Sequence, residues 1–263
     1  MKKKYLKNLF IGLVFLFLYF PIIILIIYSF NDSKMNIVFN GFTTKWYKIL
    51  FQNKDLIEAF LNTILIAITS TIVSTILGTI SAVGLHKYDF PLKSFINKLI
   101  YIPIVIPEIV LGISLLSMYT LMKMELGIIT IIIAHIAFSL PYVIVSVRSS
   151  LSPLTLKYEE AAQDLGANSF KTFFHITLPL IMPGVISGAT LAFTLSLDDV
   201  VVSYFTAGPG SNTLPLKIYS MIKTGITPDV NALSTLMLLI VIIFLTTSAM
   251  IQSRKIVSGD RSG

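Results

Sequence analysis

Six apolar runs punctuate this chain, at residues 9–30, 58–85, 99–122, 127–147, 183–206 and 231–252. A helix needs about 20 apolar residues to cross roughly 30 Å of hydrocarbon, and inside lipid every backbone N–H and C=O must find its partner within the protein. The chain is therefore read as all-α, a polytopic membrane protein with six transmembrane helices. Its composition agrees: 13% of residues are charged and 55% hydrophobic, where an ordinary soluble domain carries about 25% charged residues. A soluble enzyme or a disordered chain does not fit that balance. With no cysteine there is no disulfide framework and no thiolate nucleophile or metal ligand.

The first run follows Lys2, Lys3, Lys4 and Lys7 but is no signal peptide: its 22 residues exceed the 7–15 of a signal core, and no small-x-small cleavage site follows. Pro21 predicts a kink there. Counting only Lys and Arg, thirteen of the 20 fall on the side of the N-terminus and seven on the other. By the positive-inside rule both termini are cytoplasmic. The formal charge of +7 then reads as a basic cytoplasmic face beside anionic membrane lipid, at about 1 kcal/mol per residue near the surface. No basic stripe exists for nucleic acid. The expected organisation is 1–57 as the N-terminal helix and first extracytoplasmic loop, 58–252 as a five-helix core and 253–263 as a cytoplasmic tail.

Between the fourth and fifth runs lie residues 148–182, longer than a compact bundle needs. Segment 155–168 reads as a helix with a Pro153 start and Gly166 near its end, followed by a second amphipathic stretch at 169–176 that Pro179 stops. Glu159, Glu160 and Asp164 are expected on or near one exposed face. An interfacial helix on lipid headgroups is the bland reading, but such helices carry Lys and Arg on their polar side. An acidic helix suits docking to another protein better.

Residues Glu160-Ala161-Ala162, then Gly166, then Ile176, then Leu178-Pro179 resemble, at each defining spacing, the Glu-Ala-Ala loop of bacterial ABC importer permeases of type I. The resemblance implies that this short helix docks into a cleft of a cytoplasmic ATPase. It assigns coupling to Glu160, Ala161, Ala162 and Gly166, with Glu159 and Asp164 grouped beside them. The runs Leu197-Asp198-Asp199-Val200-Val201-Val202-Ser203 and Leu214-Pro215-Leu216-Lys217-Ile218-Tyr219-Ser220-Met221 are similar to the C-type permeases of spermidine/putrescine transporters, and 227–232 fits the same type. That implies a polyamine permease of the bacterial cytoplasmic (inner) membrane. The implied partners are a cytoplasmic ATPase dimer, a second homologous permease of B type forming a heterodimer, and an extracytoplasmic polyamine-binding protein. ATP and Mg would be bound by the ATPase, with no cofactor in this chain.

Independently of resemblance, Glu108, Asp198 and Asp199 fall inside apolar runs, where a central charge costs ~2.5–3.5 kcal/mol on insertion scales. Either the Asp pair is wetted near an outer end and Glu108 caps a half-helix after Pro107, or all three line an aqueous path and meet a cation. No Lys or Arg at similar depth pairs with them. A polyamine, with charges spaced along methylenes, is a matching cargo. Ser196 shares the helical face of Asp199, and Tyr204 stands about 140° further round. Trp46, the single tryptophan, lies in the first outside loop, where 41–51 reads as a short surface helix. It is either an interface anchor or a contact for the amine or its delivery protein.

The chain is not read as an enzyme. No Walker-type phosphate loop or Gly-x-Ser-x-Gly elbow occurs, and His86, His135 and His175 are too dispersed for a metal site. His135, inside an apolar run, reads as an interhelical hydrogen bond. The expected mechanism is alternating access driven by an external ATPase. A permease for another solute is the first alternative and a stand-alone proton-coupled transporter the second, although no internal repeat is evident.

Overall fold

The computed structural model describes the backbone of residues 2–33, 38–224 and 228–259 and the side chains of 6–33, 38–221 and 228–250. In chain order the helices are α1 (Lys2–Ser29), α2 (Lys45–Gln52), α3 (Lys54–Lys87), α4 (Lys93–Leu99), α5 (Ile102–Val105), α6 (Glu108–Leu121), α7 (Ile128–Ser150), α8 (Pro153–Asp164), α9 (Ser169–Thr172), α10 (Leu178–Asp198), α11 (Val201–Thr206), α12 (Leu214–Thr224) and α13 (Pro228–Gly259). A π-helical turn, Phe173–Thr177, joins α9 to α10. Among the described residues the only extended pairing is an isolated bridge between Asn31 and Phe42.

Five helical stretches are long and apolar enough to span a bilayer: Leu6–Ser29, Lys54–Lys87, Ile128–Ser150, Ser169–Asp198 and Pro228–Met250. The sixth is not the single helix expected over 99–122. Lys93–Val105 and Glu108–Leu121 meet at 109°. Pro107 has no N–H to donate and biases the preceding residue away from helix, and Ile106 is extended at ψ 133°. The fifth span also differs from the expected 183–206. It begins at Ser169, because the amphipathic stretch runs through the π-turn into α10, with Pro179 in the first turn of that helix where a missing N–H costs little. It ends at Asp198, with Asp199 extended at ψ 127°.

Two compact units divide the chain, one of 1–57 with 218–243 and the other of 58–217 with 244–263. In the first, the apolar side chains of α1 stand exposed, as lipid-facing groups would; Phe17 is 80% exposed. Trp46 and Leu50 of α2 are buried. The Trp46 indole N–H donates to the Asn31 carbonyl at 2.6 Å, the Asn31 amide donates to the Val38 carbonyl at 2.8 Å, and Phe30 stacks on Phe42 with centroids 5.1 Å apart. The described residues of the first loop thus fold around Trp46.

In the second unit α10 lies along α7, and two glycines permit the approach. A Cβ on Gly184 would come within 2.7 Å of the Ser146 carbonyl, and one on Gly188 within 3.1 Å of Val143 Cα. Ala82, Val143, Ile144, Val147, Ile181 and Ala192 form one buried cluster. Leu115, Tyr119, Ala134, Phe138 and Val202 form another, which seats α6 and α11 against α7.

Candidate functional site

At the break after α10, the two adjacent aspartates part company. Asp199 turns inward. Its carboxylate accepts the N–H groups of Val202 at 3.2 Å and Ser203 at 2.7 Å, capping the first turn of α11 as an N-cap acid does. This capping competes with continuation of α10 and is the local reason that the helix breaks. His135 Nε2 lies 3.4 Å from Asp199 Oδ2 and 3.1 Å from the Ser203 hydroxyl. His135 Nδ1 lies 2.7 Å from the Ser196 hydroxyl, which is 3.0 Å from Ser70. A proton on Nε2, facing the carboxylate, satisfies the ring, and Ser196 then donates to Nδ1. His135 is fully buried and ties α3, α10 and α11 together, the interhelical role expected of it.

Asp198 points the other way and is exposed. With Glu108, also exposed at the start of α6, it opens onto a cavity of about 310 Å³ whose walls include Leu111, Phe138, Tyr142 and Leu195. Asp199 and the following valines also line it. Two carboxylates thus reach one space from separate helices, beside two aromatic rings. Phe138 and Tyr142 were not singled out in the sequence, though both lie on one face of α7 with His135, at spacings of three and four.

The other candidate residues lie elsewhere. Ser196 is 3% exposed and linked to Ser70 and His135, inside the protein rather than on the cavity wall. Tyr204 is exposed and packs edge-on against Phe205, 5.3 Å between centroids; it does not line the cavity. Trp46 is buried within the first unit with its N–H engaged, so it stands neither as a surface anchor nor as an open contact.

The loop between α7 and α10 repeats the division of adjacent acids. Helix α8 starts at Pro153 and closes in a Schellman turn: Gly166 N–H bonds the Gln163 carbonyl and Ala167 N–H the Ala162 carbonyl. Gly166 has φ +90°, where an L-residue is strained. Glu160, Ala161, Asp164 and Gly166 are exposed and Ala162 half-buried, and Tyr158, Ala161, Ala162, Leu165 and Pro179 rim an apolar groove of about 450 Å³. Glu159 does not share that exposed face. It is 5% exposed, ion-paired to Lys87 Nζ at 2.7 Å and hydrogen-bonded by the Thr177 hydroxyl. The one-residue step of about 100° on a helix separates it from Glu160.

Residues 74–258 match the family described as the binding-protein-dependent transport system inner membrane component. The spermidine/putrescine transport system permease protein PotC of Escherichia coli (strain K12) is 43% identical over 250 residues, 95% of each chain. The putrescine transport system permease protein PotI of the same organism is 42% identical over 231 residues, 85% of this chain and 82% of that one. Among solved structures, a bacterial alginate ABC transporter in complex with an alginate pentasaccharide-bound periplasmic protein superposes with TM-score 0.68 at 17% identity, over 96% of each chain. The MetNI methionine ABC transporter superposes with TM-score 0.61 at 16% identity, over 81% of this chain and 99% of that one. These two likenesses establish a common fold.

Proposed function

The chain belongs to the binding-protein-dependent transport system inner membrane components, and from that premise we propose that it is the permease subunit of an ATP-driven importer of spermidine and putrescine. One observation carries the choice of cargo: Glu108 and Asp198, on separate elements, share a 310 Å³ cavity with Phe138 and Tyr142. That volume is at the small end of ligand pockets, about 300–1,000 Å³, and suits a slender chain. Each ammonium of a polyamine meets a carboxylate, and the rings take the methylenes and any cation–π contact.

Transport follows by alternating access. The chain pairs with a second, homologous permease of B type, and the two docking helices enter clefts of a cytoplasmic ATPase dimer that binds ATP and Mg. An extracytoplasmic binding protein delivers the polyamine. Both termini are cytoplasmic, which places α8 on the ATPase side. Closure of the ATPase shifts α8, and the cavity changes the side to which it opens. Such a shift does work only if the partner interacts differently with the two states, and the exposed Glu160 face with its apolar groove is the surface on which that difference acts.

The test is uptake of radiolabelled spermidine and putrescine by polyamine-requiring cells that carry the whole transport system. A charge pair at 4 Å and an effective dielectric near 20 is worth about 4 kcal/mol, so Asp198→Asn or Glu108→Gln raises the apparent KM about a hundredfold or more. Unchanged uptake in the double variant would overturn the cargo reading.

A further inference from the structure

Glu159 is an acid that the docking surface does not use. It lies on the inward face of α8 with Thr155, one turn earlier, and both are nearly inaccessible. Its carboxylate is held from two directions. One oxygen is paired with Lys87, the last residue of α3, at 2.7 Å. The other accepts the hydroxyl proton of Thr177, the last residue of the π-turn, where the chain enters α10. The Glu159 side chain is 7% exposed and that of Lys87 29%, so the pair works mostly outside water and is poorly screened by salt. The π-turn itself is a local irregularity of a kind often placed at functional positions.

The end of α3 and the entry to α10 therefore meet on one side chain of the cytoplasmic helix. We propose that Lys87, Glu159 and Thr177 form an internal strut that passes movement of α8 to the cytoplasmic ends of α3 and α10, so that Glu159 is a positioning residue for coupling rather than a contact for the ATPase. The idea rests on the reading that α8 docks on an ATPase, but not on the identity of the cargo. A helix attached only by its flanking loops would move without carrying the bundle. An ion pair to α3 and a hydrogen bond to the start of α10 give the motion two rigid outlets, and α10 ends at Asp198, on the cavity wall.

The decisive measurement is uptake per ATP hydrolysed by the complete transporter in proteoliposomes, with ATPase copurification followed in parallel. Glu159→Gln and Lys87→Met lower uptake per ATP by roughly tenfold, within the 5- to 150-fold range usual for coupling between sites, while the ATPase still copurifies. Thr177→Val gives a smaller loss, since the ion pair survives. The exchanged pair Lys87→Glu with Glu159→Lys recovers most of the ratio. A stabilising role alone would reduce the amount of transporter and leave uptake per ATP unchanged, and that result would overturn the strut. So would single variants that lose the ATPase with no recovery in the exchanged pair. The docking reading has its own arm: Glu160→Lys releases the ATPase, and its retention would refute docking whatever the strut variants do.

Discussion

The cavity and the loop between α7 and α10 solve the same problem with adjacent acids, Asp198-Asp199 in one and Glu159-Glu160 in the other. In each pair one carboxylate turns inward to a cation or N–H donors, and its neighbour stays open. Asp199 is capped by two backbone N–H groups and faced by His135; Glu159 is held by Lys87 and Thr177. Asp198 and Glu160 are exposed. The inward acids resemble each other in burial but differ in what they brace. Asp199 fixes a break between two helices at the end of an apolar span, whereas Glu159 fixes a surface helix to the end of α3 and the entry to α10. Adjacent residues with the same charge thus sit in separate settings, one bound within the fold and one open at its surface.

That division is open to direct attack, and the largest effect is expected at its most buried member. His135→Phe leaves the 5%-exposed Asp199 side chain without its imidazole, and a hydrogen bond to a charged group is worth about 1.5–3 kcal/mol. The amount of folded permease in detergent extracts should fall steeply, while Asp198→Asn extracts as well as the wild type and fails only in transport. Equal losses of protein from both substitutions would erase the distinction between the two aspartates. A smaller effect is expected at the turn that ends α8. Gly166→Ala forces an L-residue into a left-handed conformation at φ +90°, costing about 1–2 kcal/mol, and should weaken ATPase copurification without changing polyamine KM. Smallest is Trp46→Phe, which removes the N–H donated to Asn31 and costs about 1 kcal/mol. A modest drop in thermal stability with unchanged KM would fit a structural Trp46, whereas a raised KM would return it to the substrate path.

Much of this architecture was legible along the chain. The apolar runs located the spans because lipid tolerates few alternatives to a long helix, and Pro153 and Gly166 marked the limits of α8 because a helix start and a left-handed stop favour those residues. His135 was recognisable as an interhelical group from its isolation in an apolar run. The break at Asp199 was missed, and the one at Pro107 was foreseen only as the alternative in which Glu108 caps a half-helix, for a different reason. Hydropathy averages over a window, so a span that bends by 109° or halts at an aspartate keeps the same apolar score as a straight one.

Residue order by itself determined that the chain is helical, that it crosses the membrane and that acids lie where they must be compensated, since each of these depends on local composition and spacing. Only the tertiary structure decided which acid of each pair is compensated within the chain and which stays exposed. Neighbours on a helix point about 100° apart, and whether a given direction meets His135, Lys87 or open space depends on residues some 60 to 70 positions away in sequence.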